Sequence, residues 1–323
     1  MIQINEHISL EAIQQYLDSI GILNQKEQVT HNEKAGEGNM NVVLRITTNQ
    51  RSIILKQSRP FVQKYQDIPA PVDRISVEHQ FYAAIQNRNI DSNIPSIILF
   101  DAQNHLLVLE DLGNCKDMSF LYFNGKIENQ VLEKLVTILF EIHKTPAPKD
   151  FPDNMEMRKL NHQHIFILPL TADNGFSLDD TQPGLQKLSI PYKQDDELKK
   201  QISIIGEKYL SQGTTLLHGD YYPGSWMIDE QRIYVIDPEF GFLGFTEFDL
   251  GVIAAHFIMA TQNGDYLSKI ISIYPGEIDI HLTQQVAGIE IMRRLIGIAQ
   301  LPLKRSLEDK KRLLEMAKKM ILS

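Results

Sequence analysis

Only one cysteine, Cys115, occurs among the 323 residues, so no disulfide can form within the chain and a reducing compartment is the default expectation. No histidine or basic cluster flanks Cys115 to lower its thiol pKa, which leaves it as filler after a strand. Long apolar runs are also missing. None reaches the roughly 20 residues that span a bilayer, and the first ten residues, MIQINEHISL, lack the cationic start and apolar core of a signal peptide. Positive charge is in short supply: 32 Lys and Arg against 41 Asp and Glu give a formal net charge of -9. A protein that grips nucleic acid through its phosphates needs the opposite balance. Neither nucleic acid nor membrane is therefore an expected partner, and the cytoplasm is the expected location. What the chain does have is an ordinary globular composition, 43% hydrophobic and 23% charged, and enough length for two cores. No internal repeat or low-complexity tract interrupts it.

The densest chemistry lies in residues 216–239, LLHGDYYPGSWMIDEQRIYVIDPE. Moving the terminal phosphate of a nucleotide onto an alcohol needs one carboxylate beside the attacking hydroxyl and further oxygens holding Mg²⁺ on the phosphates. Asp220 suits the first role, and Ser225, Asp237 and Glu239 suit the second. Two apolar runs, Trp226 to Ile228 and Ile233 to Ile236, flank a polar turn, so a hairpin would bring Asp220 at its entrance close to Asp237 at its exit. In an extended chain Asp237 and Glu239 share a face. The bland alternatives, a turn aspartate after glycine and a solvated strand end, each explain one of these residues but not four in register.

The segment up to about residue 111 is rich in strands with one principal helix. Helical spacing marks Ser9 to Ile20 and Val72 to Asn87; strands are expected at Asn41 to Thr48, Ser52 to Gln57, Pro95 to Phe100 and Leu106 to Leu109. Beyond it helices dominate, at Val131 to His143, Asp195 to Ser211, Asp249 to Thr261, Leu282 to Gln300 and Ser306 to Ile321. The stretch from Pro146 to Tyr192, rich in Pro, Asn, Asp and Gly, reads as an irregular insertion facing the cleft. Two domains follow: residues 1–111 as a nucleotide-binding lobe and 112–323 as a helical lobe for catalysis and substrate.

Within the first lobe, Gly36, Gly38 and Asn39 lie between strand-like segments, where two glycines let a hairpin fold over phosphates. Lys56 sits on an apolar strand and reads as a phosphate ligand that pairs with Glu78 of the next helix, against the alternative of a lysine snorkelling from an edge strand. The strand LVLEDL, 107–112, ends where an adenine ring would lie, which makes Glu110 and Leu112 positional candidates for contacting it.

These motifs together resemble the aminoglycoside phosphotransferase and choline kinase-like superfamily, and within it most closely the 5-methylthioribose kinases. The likeness runs from about Asn32 to about Gln300 and is strongest at Gly36 to Glu78 and Leu216 to Gly251. It rests on the loop Gly36 to Asn41, on Gly224-Ser225 where most of the superfamily has an asparagine, on Asp237-Pro238-Glu239, and on a twin-arginine segment beginning Arg293-Arg294. The resemblance implies an α+β, protein-kinase-like two-lobe fold: a small antiparallel-sheet N-lobe with one main helix and a larger, mostly helical C-lobe. It also implies ATP and Mg²⁺ as cofactors and 5-methylthioribose as the hydroxyl acceptor, with Arg293 and Arg294 contacting the sugar or its anionic product. Tyr222 stands where methylthioribose kinases usually carry a histidine, and is expected to face the substrate.

Asp220 is then the catalytic base, His218 braces its loop, and Asp249 is the N-cap of the helix that follows, free to hold the loop as well. Two cations in an apolar helix point about 100° apart, so at least one faces inward; a plain salt bridge to Glu290 or Asp249 is the competing explanation. Aminoglycosides, choline and other amino alcohols are the alternative acceptors, and a nucleotide-binding pseudokinase or scaffold the alternative of another class. A homodimer is compatible with all of these.

Overall fold

The computed structural model of the chain describes residues 2–36, 40–86, 88–146, 148–230 and 232–323. Ser9 caps the first helix, α1 (Leu10–Ser19), by accepting from the Ala12 amide, and Ile13, Tyr16 and Leu17 form its buried stripe. There follow β1 (Val29–Lys34), β2 (Val42–Thr48), β3 (Ser52–Gln57), a small hairpin of β4 (Phe61–Val62) and β5 (Tyr65–Pro69), helix α2 (Arg74–Ile85), β6 (Ile97–Asp101) and β7 (Leu106–Glu110). Strands β1, β2, β3, β7 and β6 lie in that order in one antiparallel sheet. Side-chain alternation assigns its faces. Ile53 and Leu55 of β3, with Leu106 and Val108 of β7, pack under α1. Ile54, Leu107 and Leu109 turn the other way, into the core shared with Phe81 and Tyr82 of α2. Lys56 shares that second face, so the two-residue period alone carries its ammonium toward α2.

The larger part begins with β8 (Lys116–Asp117), α3 (Leu121–Asn124), α4 (Asn129–His143), α5 (Met155–His162), α6 (Leu185–Lys193) and α7 (Asp196–Leu210). Four short strands come next, β9 (Thr215–Leu217), β10 (Trp226–Ile228), β11 (Ile233–Val235) and β12 (Phe242–Gly244). It closes with α8 (Glu247–Thr261), α9 (Asp265–Ile273), α10 (Ile280–Ile296) and α11 (Leu307–Leu322). Every residue of α8 from Phe248 to Ala260 is buried, the mark of a helix packed on all sides, and α10 lies against it. The result is the small sheet lobe and larger helical lobe expected from the sequence. No helix among the described residues is long and apolar enough to cross a membrane.

Three expectations need correction. Residues 146–192 are irregular only in part: they hold α5, a π-helical turn at Gln163–Ile167 and most of α6, with loops and a short 3-10 turn over 171–184. Their polar composition hid helices whose buried faces are narrow. Strand β1, VTHNEK, also escaped notice because no alternating apolar pattern marks an edge strand this exposed. Helix α8 starts earlier than its apolar run, with Thr246 at the N-cap, so Asp249 sits inside the first turn rather than capping it.

Where the lobes meet, the Asp111 carboxylate accepts from Arg45 Nε at 2.8 Å and Ser52 Oγ at 2.6 Å on one oxygen, and from Arg45 Nη2 at 3.1 Å and the Gly113 amide at 3.0 Å on the other. Asp111→Ala leaves Ser52 and the Gly113 amide without these partners and is expected to cost about 1–3 kcal/mol in urea unfolding. An unchanged midpoint would mean that these bonds do not strap the junction.

Candidate active site

Two clusters of charge face each other around the β10–β11 hairpin. The first is centred on Lys56, whose Nζ lies 2.6 Å from Glu78 Oε2 of α2 and 2.5 Å from Asp237 Oδ1 of the hairpin exit. Burial opposes the lysine's charge, yet the Asp237, Glu78 and Glu239 carboxylates hold its pKa above the usual lysine range. Burial pushes Glu78 up to about 8 despite the pull of Lys56. The Lys56–Glu78 contact is one of proximity: both Glu78 oxygens lack a donor in hydrogen-bond geometry.

Asp237 and Glu239 do not project side by side from an extended chain. Asp237 is left-handed, with φ of 62°, and Glu239 lies in the following 3-10 turn. Their carboxylates part company. That of Asp237 is 46% exposed, while Glu239 Oε2 is buried against Asn41 Nδ2 at 2.9 Å and Arg74 Nε at 3.1 Å. Beside this ion pair, Arg74 donates through Nε to Asn41 Oδ1 and through its two terminal nitrogens to the carbonyls of Arg59, Pro71 and Met40. From the other lobe, Asn154 Nδ2 donates to the Glu239 and Gly241 carbonyls, fixing the turn from behind. Of the glycine-loop candidates, Gly36 has a positive φ of 80°, while Gly38 and Asn39 lie outside the described residues.

The second cluster surrounds Asp220. Its loop is held rigidly: Asp249 accepts from the amides of His218 at 2.7 Å and Gly219 at 3.0 Å, and lies 3.2 Å from His143 Nε2. Gly219 is irreplaceable for two reasons, a φ of 83° and the Phe240 carbonyl oxygen 2.2 Å from where a Cβ would stand. His218 is a brace, not a base. It is buried, burial lowers its pKa, and its ring bonds the Ile236 carbonyl and the Asp220 amide. Ser225 was expected at the metal; it is buried, and its hydroxyl donates to the Asp220 carbonyl at 3.0 Å.

Both twin arginines are buried and ion-paired. Arg294 Nη2 lies 3.1 Å from Asp220 Oδ1 and Arg293 Nη1 3.7 Å from the same oxygen, while Glu290 pairs with both. Tyr222 is sandwiched in this cluster, with the Arg294 guanidinium 4.8 Å from its ring centre and the His256 ring 5.2 Å away. Tyr221, by contrast, is core, its hydroxyl donating to the Leu135 carbonyl. At the lobe junction the Glu110 amide donates to the Ser96 carbonyl within the sheet, and its carboxylate turns back to Ser96 Oγ. Leu112, just beyond the strand, is half-buried.

Asn41, Arg74, Asn154, Tyr122 and His256 were not picked out from the sequence. Arg74, one helical turn before Glu78, and His256, set in the otherwise apolar run from Leu250 to Ala260 of α8, carried signals that could have found them. No group of three or more His, Cys, Asp or Glu with metal-holding geometry occurs among the described residues. The donors nevertheless fit a hard cation that keeps most of its water. Lys56 and Arg74 are set among Glu78, Asp237 and Glu239, and the exposed carboxylate among them is that of Asp237.

A model of the phosphotransferase enzyme family matches residues 32–274. Methylthioribose kinase of Yersinia enterocolitica is 25% identical over 241 residues, covering 70% of this chain and 59% of that protein, so the match leaves much of the longer relative uncovered. Methylthioribose kinase of Bacillus cereus is 22% identical over 355 residues, covering 96% and 89%. Among solved structures, choline kinase LicA from Streptococcus pneumoniae superposes with a TM-score of 0.53 at 14% identity, covering 96% of this chain and 98% of its own. A spectinomycin phosphotransferase, APH(9)-Ia, in complex with ADP and spectinomycin, gives 0.56 at 14% identity, covering 98% of each. At such identities the likeness is one of fold, and that fold is protein-kinase-like.

The raised pKa of Glu78 has a testable sign. The folded state holds this proton more tightly than the unfolded chain, so its contribution to stability is full below the ordinary glutamate pKa and is lost as pH rises through about 8. Unfolding free energy measured against Glu78→Gln should therefore fall between those limits. A difference that stays flat with pH would contradict the raised value.

Proposed function

The chain belongs to the phosphotransferase enzyme family, and from that premise we propose that it is an ATP-dependent kinase that phosphorylates a hydroxyl of a small, sugar-like acceptor. The names of its relatives favour 5-methylthioribose as that acceptor. The observation that carries the reading is the link between the two charge clusters. Lys56 and Asp237 join the lobes, and the His218 ring ties the two acid-bearing segments together, bonding the Ile236 carbonyl beside Asp237 and the Asp220 amide.

In this reading Lys56 turns from Asp237 to the nucleotide phosphates, and Glu78 keeps its ammonium in place. Magnesium bound with the triphosphate supplies neutralisation of the charge that develops on its oxygens. Asp237 would hold it. Glu239 spends Oε2 on Asn41 and Arg74, which leaves Oε1 as a second ligand. Ser225 stays a brace of the loop. Asp220 accepts the proton of the acceptor hydroxyl as the phosphoryl group departs, and Tyr222, Arg293 and Arg294 line the acceptor side. Residues 1–111 serve as the nucleotide-binding lobe and 112–323 as the lobe for catalysis and the acceptor. The cytoplasm, where ATP is present and a lone cysteine stays reduced, suits such an enzyme.

A coupled assay of ADP release over 5-methylthioribose, related pentoses, choline and aminoglycosides tests the proposal. Turnover is expected with a pentose, and Asp220→Ala should lower kcat on the order of 10²–10⁴-fold while leaving Mg-ATP binding intact. Tight Mg-ATP binding without ADP release from any acceptor would point instead to a nucleotide-binding scaffold.

A further inference from the structure

Glu290, on the buried helix α10, is the most heavily engaged carboxylate near Asp220. It lies 3.0 Å from Arg293 Nη1, 2.6 Å from Arg294 Nε and 3.1 Å from His256 Nε2 of α8. Burial pushes His256 down to about 4, so the ring is neutral at physiological pH and one tautomer must serve both of its neighbours. It does so in only one way. With the proton on Nε2, His256 donates to Glu290, and Nδ1 accepts from the Tyr122 hydroxyl 2.6 Å away on α3. A simple neutralising salt bridge needs one arginine and one glutamate. Here a further histidine and tyrosine, from two other helices, fix where the glutamate stands.

The consequence falls on Asp220. Both arginines address its Oδ1, Arg294 through Nη2 alone, because its Nε edge is already turned to Glu290. A guanidinium free to choose would dock on a carboxylate with two parallel bonds and occupy both oxygens. We propose that Glu290, fixed by His256 and Tyr122, is a positioning residue that holds Arg294 edge-on, so that one guanidinium arm takes Oδ1 of Asp220 and Oδ2 stays open to the acceptor hydroxyl. The inference rests on the reading of Asp220 as the base and adds how that base is kept available. It also divides the twin arginines: Arg294 orients Asp220, while Arg293, whose buried Nε has no partner, has donor capacity left for the acceptor.

Two variants test it. Glu290→Gln keeps the shape but places an amide NH₂ among donors, and it should cut kcat by about 10-fold or more with the KM for ATP within about 3-fold of the parent. Tyr122→Phe frees His256 without leaving a buried charge unpaired. It should show the same split with a smaller, several-fold loss, and it carries the test if Glu290→Gln does not fold. Nitrogen-15 spectra give a readout independent of turnover. The Arg294 Nε–H should be slow to exchange in the parent protein and exchange rapidly in either variant. Unchanged kcat in Tyr122→Phe, or a KM for ATP that rises in step with the fall in kcat, would overturn the inference. If the parent protein releases no ADP with any acceptor, the kinase reading fails separately, and an Arg294 Nε–H resonance unaffected by the substitutions still refutes the positioning role.

Discussion

A buried ammonium group sets the terms for this molecule. Lys56 is 3% exposed, and taking such a charge out of water is tolerable only when carboxylates meet it at contact distance. One of those carboxylates comes from α2 and the other from the hairpin of the opposite lobe. The sheet must therefore present Lys56 on its α2 face, α2 must bring Glu78 to the right turn, and the catalytic hairpin must end within reach. A register slip of one residue in β3 would send the lysine under α1, among Ile13, Leu17 and Leu44. Buried ion clusters contribute little net stability, so a chain that keeps one at the meeting of its lobes keeps it for what it can bind.

Around that lysine the molecule solves a problem of like charges. Asp220, Asp237, Glu239, Glu78 and Glu290 would repel one another and protonate if left unpaired. The chain sorts them into two groups with their own cations: Lys56 and Arg74 for Glu78, Asp237 and Glu239, and Arg293 and Arg294 for Asp220 and Glu290. His218, kept neutral by burial, stands in the loop that separates them. Near Asp220 two arginines face two carboxylates; around Lys56 two cations face three carboxylates, of which Glu78 is pushed up to about 8 by burial and Asp237 is the exposed one.

How much of this was legible depended on sequence distance. The hairpin at 226–235, the placement of Lys56 on β3 and the pairing with Glu78 follow from periods of two and from short spacings, and the sequence was enough for them. Asn41 was invisible as a partner of Glu239 because the two lie 198 residues apart, and nothing local reports such a contact. The separation of Asp237 from Glu239 was misjudged because a left-handed aspartate followed by proline breaks the extended chain that an i, i+2 argument assumes. Glu290 was named as a plain salt-bridge partner. Its reach to His256 and Tyr122 emerges only once α3, α8 and α10 pack together.

The two acids of the Asp-Pro-Glu turn also differ in what it would take to disengage them. Glu239 is 4% exposed and bonded to two groups of the sheet lobe, one of which, Arg74, also donates to the carbonyls of Arg59, Pro71 and Met40. Separating it from Arg74 would strand a buried charge, which is costly. Asp237 is half exposed, and its single lysine contact can be exchanged for a metal ion and phosphate oxygens with water at hand. The lobes are thus joined at one turn by a contact buried on both sides, Glu239 with Arg74, and by one buried only on the lysine side, where a replacement for Asp237 must itself be anionic to satisfy Lys56. In the proposed reading that replacement is the phosphate of a nucleotide, while Glu239 keeps the register of the two halves.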